Sequence, residues 1–383
     1  MLVSQPAPGP LSGLLIADFS RILAGPYATM LLADLGADVV KVESPGGDDT
    51  RTWMPPERDG VSTYYLAINR NKRSIALDLT DPEDGEVARE LAARADVLIE
   101  NFRPGGLARF GLDYDTAAAR NPGLVYASIS GFGTGAGARL AGYDLLVQAM
   151  SGLMSLTGDP DGPPYRSGIS VFDLMTGMHA AIGILSALHH RSSSGEGQHV
   201  EVNLLSSALS GLVNHSTGYV ASGAVPHRMG NAHPSLFPYE PLPTADNDLI
   251  VIAGNDGQFR ALCGVLGLDE LVDDERFRHN DDRTRNRDQL RPLLVAELRK
   301  RPALEWWREL SEAGVACGPI NTVDGGVSLA TELGLDPVVH VGDEALPMIR
   351  NPIGFSHTPS RHSLPPPALD EHGDDIRRWL TDR

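Results

Sequence analysis

A chain of 383 residues that is 42% hydrophobic and 21% charged has the composition of a folded globular protein of about two domains, which excludes wholesale disorder. Its formal charge of −18, from 32 basic and 50 acidic side chains, argues against non-specific binding to nucleic acid or to an anionic membrane.

Short aliphatic runs alternate with helical stretches through the first 130 residues. A strand is predicted over 14–18, a helix over 27–35 and strands over 38–42 and 74–77; a helix over 83–94 and strands over 97–99 and 125–128 follow. Alternation of this kind builds βαβ units and a mostly parallel sheet covered on both faces, an α/β fold. A strongly apolar helix is predicted over 174–189, where Gly177, Ala181 and Gly183 permit close packing. Residues 223–243 are proline-rich and loosely patterned. A different unit runs from about 249 to 307, with a strand over 249–253, helices over 256–266 and 287–298, and a highly charged stretch between the helices. Strand-and-loop patterning resumes beyond Cys317 and ends in a helix over 374–380. These shifts predict a large domain over 1–200, a linker over 201–225, a smaller α+β domain inserted at 226–320, and a linker with return to the large domain over 321–383.

Two cysteines, Cys263 and Cys317, cannot build a disulfide framework, and no Cys/His cluster has zinc spacing, so no metal site is expected. The amino terminus lacks the basic and apolar regions of a signal peptide, and no apolar run of about 18 residues is present. A soluble, cytoplasmic protein without a membrane partner is the expectation.

The first βαβ unit invites a dinucleotide reading, since Glu43 ends the second strand where an acid would suit a ribose hydroxyl. The intervening turn, Ala24-Gly25-Pro26, offers a single glycine, so pyrophosphate has no close backbone approach and the fingerprint fails. Asn69-Arg70-Asn71-Lys72-Arg73 places three cations in five residues with no acid among them. Asn101-Phe102-Arg103 and Arg109 follow later, near the carboxyl ends of the sheet. Such groups suit phosphate oxygens, although a solvated basic turn has the same composition. Asp173 precedes the apolar helix and reads either as its N-cap or as a carboxylate kept ionised by the helix start and available as a nucleophile. Asp144, after Tyr143, is a second carboxylate that could serve as an acid/base partner or lie at the surface. No G-x-S-x-G elbow and no histidine paired with a serine or cysteine nucleophile emerges.

Together the segments resemble the class III CoA-transferases, the family of formyl-CoA transferase and carnitine CoA-transferase. The likeness is carried by D-F-S-R-I-L-A-G-P (18–26), L-G-A-D-V-V-K-V-E-S-P (35–45), N-K-R-S-I-A-L-D-L (71–79) and A-D-V-L-I-E-N-F-R-P-G (95–105). It continues through F-D-L-M-T-G-M-H-A-A-I-G-I-L-S-A-L (172–188), G-E-G-Q-H-V-E-V (195–202), G-N-A-H-P (230–234) and G-V-A-C-G-P-I (314–320). The resemblance implies a Rossmann-like large domain formed from both chain ends, a small inserted domain, and an interlocked homodimer. It implies that Asp173 is the catalytic aspartate, carrying mixed-anhydride and aspartyl-CoA thioester intermediates. It places CoA against Arg21, Ile22, Ala24, Asn71, Lys72, Arg73, Asn101, Phe102, Arg103 and Arg109. CoA and acyl-CoA are then substrates, small carboxylic acids are acceptors, and no tightly bound cofactor is implied. Tyr143, Phe237 and Tyr239 are candidates for the acyl pocket.

Two departures narrow the activity. Related 2-methylacyl-CoA racemases carry a histidine where this chain has Tyr143, and racemisation needs an acid/base pair at the α-carbon. A racemase or epimerase is therefore the lesser alternative, with a non-catalytic CoA-binding protein as a third. Formyl-CoA transferase also has a glycine run over its active site, and the corresponding G-N-A-H-P-S-L-F-P-Y lacks it, which disfavours the formyl-CoA/oxalate pair.

Overall fold

The computed structural model describes residues 9–382. The chain forms two compact units, one running to Leu153, resuming over Arg166–Ala224 and again from Asp336, the other comprising Met154–Tyr165 and Val225–Leu335.

The first unit is built on a six-stranded parallel sheet. Its strands are β1 (Leu15–Asp18), β2 (Asp38–Glu43), β3 (Lys72–Ala76), β4 (Val97–Glu100), β5 (Val125–Ser130) and β6 (His199–Asn203), in the spatial order β3-β2-β1-β4-β5-β6. This is a Rossmann-like α/β arrangement. Strands β1, β2, β4 and β5 are aliphatic on both faces because both faces are covered. One face packs α1 (Ala24–Asp34) and the long central helix Val171–Ser194. The other packs Pro82–Arg94, Tyr114–Arg120 and the last helix, Gly373–Thr381, through Ile376 and Leu380.

Residues 201–225, expected as a linker, instead finish β6 and form helices Leu204–Gly211 and Asn214–Ser222, all within the first unit. Leu204 and Ala208 bury themselves in the sheet's core, which a solvated linker would not do. The central helix also begins three residues earlier than predicted. With a hydropathy of 1.5 it is long and apolar enough, by length and composition, to cross a membrane, which corrects the expectation that no such segment occurs. In this unit one side of it is packed, Phe172, Ala180, Ala181, Ile184 and Ala187 lying against the sheet and α1, while Met178, Ile182 and Leu185 are exposed.

The second unit has a three-stranded antiparallel sheet, β7 (Tyr239–Pro243), β8 (Asp248–Ile252) and β9 (Ala316–Pro319), in the order β9-β8-β7. Helices Asp256–Leu266, Arg287–Leu298 and Ala303–Glu312 complete its core. Arg283 is fully buried there, its guanidinium donating to the carbonyls of Phe237, Phe277 and Arg278 and pairing with Asp256 at 2.9 Å.

Candidate active site

Strand order reverses between β1 and β4, and open α/β sheets bind ligands in the crevice beyond the carboxyl ends at such a point. The loops that leave these two strands are joined there. The Arg21 N–H donates to Asn101 Oδ1 at 3.0 Å, and Asn101 Nδ2 donates to the Arg21 carbonyl at 2.7 Å. Ile22 adopts φ +71°, a left-handed conformation that costs a β-branched residue about 1–3 kcal/mol and persists only where neighbours hold it. Gly25 explains the single glycine of this turn: a Cβ there would lie 2.2 Å from Ser20 Oγ, which itself donates to Asp18 Oδ1 at 2.5 Å.

The predicted basic cluster divides. Arg21, Arg103 and Arg109 are exposed, Arg109 lying over the Phe110 ring at 4.5 Å. Arg103 and Phe102 border a cleft of about 240 Å³ beyond β4, β5 and β6, where His199 Nε2 meets Ser128 Oγ at 2.9 Å and its ring stacks on Tyr114. Asn71 and Lys72 must be corrected. Lys72 is 0% exposed, and its ammonium is spent on Asp18, Asn69 and the Pro26 carbonyl. Asn71 is buried against Asp34 and the backbone at Arg361, Ser363 and Leu364. Both sit at the amino end of β3, and neither presents a surface to a ligand. Arg73 is largely covered and faces Asp38 at 3.4 Å. Ala24 is buried at the start of α1, its carbonyl facing Gly177 of the central helix.

Asp173 is the third residue of the central helix and does not cap it. Ser170 precedes the helix without a side-chain cap bond. The cap comes from Asp144, at the start of helix Asp144–Met150, whose Oδ1 accepts the N–H groups of Phe172 at 2.8 Å and Asp173 at 3.3 Å. Gln148 fixes Asp144 in turn: its Nε2 donates to Asp144 Oδ2 at 2.5 Å and to the Ile169 carbonyl at 3.2 Å, while its Oε1 accepts from the Ser167 N–H. With both oxygens engaged, Asp144 acts as a positioning group. Burial first, and then the Asp144 carboxylate, push Asp173 up to about 7, against the expectation that the helix start holds it ionised. Tyr64 borders the same spot, its phenol raised by burial and next by Asp173, with its ring edge-on to Trp53.

Tyr143 stands 72% exposed beside Asp144. Phe237 is 1% exposed in the core of the second unit and so cannot line an acyl pocket, which corrects that expectation. Tyr239, on β7, is partly exposed, its ring 4.9 Å from that of His233.

A half-buried carboxylate in the first turn of a helix, held above its ordinary range by burial and by Asp144, has the chemistry of an acyl-carrying nucleophile. A family model described as CoA-transferase family III matches residues 11–373. The chain belongs to CoA-transferase family III. It is 45% identical over 381 residues to the succinate–glutarate CoA-transferase of Agrobacterium fabrum, covering 95% of this chain and 94% of the relative. It is 42% identical over 374 residues to the acetyl-CoA:oxalate CoA-transferase of Acetobacter aceti, covering 97% and 95%. Among solved structures, a CAIB/BAIF family protein from Brucella suis superposes with a TM-score of 0.88 and 44% identity, over 97% of this chain and 100% of that one.

In this family III chain, Tyr64, Gln148, Lys41 and Asp48 are site-related residues that sequence reasoning did not single out. Only Asp48 carried a signal, as an acid directly before a short helical turn, Asp49–Thr52. Among the described residues, no group of three or more His, Cys, Asp or Glu side chains is arranged to hold a metal.

Proposed function

We propose that the protein moves CoA from an acyl-CoA donor to a carboxylic acid acceptor, with Asp173 as the nucleophile. The observation that carries this reading is the geometry at Asp173: a half-buried carboxylate in the first turn of the central helix, whose backbone N–H is held by Asp144, itself fixed by Gln148. The ionised carboxylate attacks the donor thioester carbonyl, forming an acyl-aspartyl anhydride and releasing CoA thiolate. The thiolate attacks the aspartyl carbonyl, which expels the donor acid and leaves an aspartyl-CoA thioester. The acceptor carboxylate displaces CoA thiolate from that thioester, giving a second anhydride. The thiolate then attacks the acceptor's carbonyl, producing the new acyl-CoA and freeing Asp173. Each step exchanges one activated carbonyl for another, so the thioester's free energy is retained as long as water is kept out.

Succinate, glutarate and oxalate, named for the two relatives, are dicarboxylates, and we propose short dicarboxylates and their CoA thioesters as the substrate class. The test is incubation with succinyl-CoA followed by hydroxylamine. Mass spectrometry should find a hydroxamate on Asp173, and Asp173→Ala should abolish exchange of CoA between succinyl-CoA and glutarate. Full exchange by Asp173→Ala would sink the mechanism.

We further propose that the working form is a homodimer in the cytoplasm. Met178, Ile182 and Leu185 of the central helix, and Tyr219 and Val220 of helix Asn214–Ser222, are apolar side chains that the first unit leaves exposed. Both cysteines are free, as suits a reducing compartment. Sedimentation should give twice the chain mass; a monomer at micromolar concentration that still exchanges CoA would refute the assembly.

A further inference from the structure

Beneath the crevice loop lies an ion pair that the proposed chemistry does not use. Lys41, on β2, and Asp48, which caps the turn Asp49–Thr52, meet at 2.8 Å with side chains 1% exposed. Burial, the largest single influence, would raise the Asp48 carboxyl, but the Lys41 charge and the hydrogen bonds from Lys41 and Thr50 together hold the group below its ordinary range. Both partners also reach the same three-residue stretch. Lys41 Nζ donates to the Ser20 carbonyl at 3.2 Å, and the Ile22 N–H donates to Asp48 Oδ2 at 3.2 Å. Between these two grips, Asn101 holds both backbone groups of Arg21. Asp48 is itself anchored: its N–H donates to Glu43 Oε2, and its Oδ1 accepts from the Thr50 N–H and hydroxyl. Three consecutive residues are thus pinned through backbone groups around the left-handed Ile22, and the side chain that emerges between the pins is Arg21, 62% exposed and paired with the exposed Asp49.

We propose that the Lys41–Asp48 pair is a positioning clamp that holds Ser20–Ile22 in its strained conformation so that the loop is ready for CoA. The proposal rests on the CoA-transferase reading. A pair serving only stability would need no bond to the loop. Each partner here instead spends a bond on a backbone group flanking Arg21, and the clamped residue is one for which the conformation is unfavourable. A preformed loop binds without meeting the ordering cost on association.

The test is a mutant cycle read by calorimetric binding of CoA. Lys41→Met with Asp48→Asn removes the pair without leaving a bare buried charge. It should weaken the Kd for CoA about tenfold, equivalent to about 1.4 kcal/mol, with Tm lowered by only a few degrees. Glycine adopts positive φ without penalty, so in an Ile22→Gly background the same pair removal should cost less than about threefold, a coupling that a structural role does not produce. Should that double variant fail to fold, Lys41→Leu with Asp48→Ser, which also leaves no bare buried charge and keeps a hydroxyl to cap the following turn, is taken through the same cycle. An unchanged Kd, or equal losses in the two backgrounds, would overturn the clamp while CoA binding by the unmodified protein keeps the transferase reading intact. If the unmodified protein binds no CoA, both fall together.

Discussion

At the scale of single residues, the decisive feature is a carboxylate held away from its ordinary ionisation. On the proposed mechanism Asp173 must be charged to attack, and burial with Asp144 nearby pushes it up to about 7. The rate of CoA release from a donor thioester should therefore rise between about pH 6 and pH 8 and level off above. Asp144→Asn removes the second charge but keeps an oxygen for the Phe172 N–H, so the acid limb should move to lower pH. A limb that stays in place would show that Asp144 acts through geometry alone. The same shift has a stability consequence of fixed sign. A carboxyl raised in the folded state above an ordinary value near 3.8 is penalised when ionised, so the cost is absent below that value, grows as pH rises, and is complete above about 7. Asp173→Asn should accordingly raise Tm by a few degrees at pH 8 and leave it unchanged near pH 4, as read by calorimetry; equal shifts at both pH values would contradict the assignment. The position of Asp173 at the head of the apolar helix was legible because both stand in one stretch of chain. Asp144 as its cap was not, because the bond joins residues 29 apart through the fold. Lys72 misled for a related reason: cations spaced to suit phosphate also suit buried carboxylates, and Asp18 claimed it.

At the scale of elements, the parallel sheet was readable from its aliphatic runs, since β1, β2, β4 and β5 are buried on both faces and charges within them, such as Asp18 and Lys41, are paired. The start of the central helix was misread because Asp173 reads as an N-cap, whereas the helix starts at Val171, Ser170 makes no side-chain cap bond there, and the cap comes from the distant Asp144. The glycines of this helix were legible as contact points, and their geometry is severe. A Cβ on Gly177 would lie 2.5 Å from the Ala24 carbonyl, and one on Gly183 would lie 2.6 Å from Val200 Cγ1. Gly177→Ala should therefore force α1 and the central helix apart and destabilise the first unit by about 1–3 kcal/mol, despite alanine's better helix propensity. Gly264→Ala, in the exposed part of helix Asp256–Leu266 with no atom nearer than 3.8 Å, should stabilise the second unit by about 0.5–1 kcal/mol. Urea unfolding of the two variants would settle the contrast, with the transitions of the two units fitted separately if they do not coincide. Loss of stability in both would mean that backbone propensity, and not close approach, is misjudged at Gly177.

For the whole molecule, two units were foreseeable from composition, but their seams were not. Residues 154–165 join the second unit although they lie far from it in sequence, and 204–222 stay with the first because their apolar side chains bury against the sheet. Such exchanges depend on long-range packing, which leaves no periodic mark. Net charge is the whole-molecule property that reaches the proposed ligand. At −18 the chain repels a polyanion such as CoA at long range, while Arg21, Arg103 and Arg109 attract it once it is near the crevice. Ionic strength separates these two effects. At about 0.01 M salt the screening length is about 30 Å, so an approaching CoA feels the full acidic field; at about 0.15 M it shrinks to about 8 Å and mainly the local arginines remain in range. The association rate constant for CoA should therefore rise severalfold as salt increases over that interval, opposite to the fall expected of a basic protein steering the same ligand. The dissociation rate should rise too, because contact ion pairs with phosphate weaken. Stopped-flow binding at several salt concentrations measures both. An association rate that falls with salt would mean that the arginines of the crevice govern the field even at long range, and that the acidity of the remainder is irrelevant to capture.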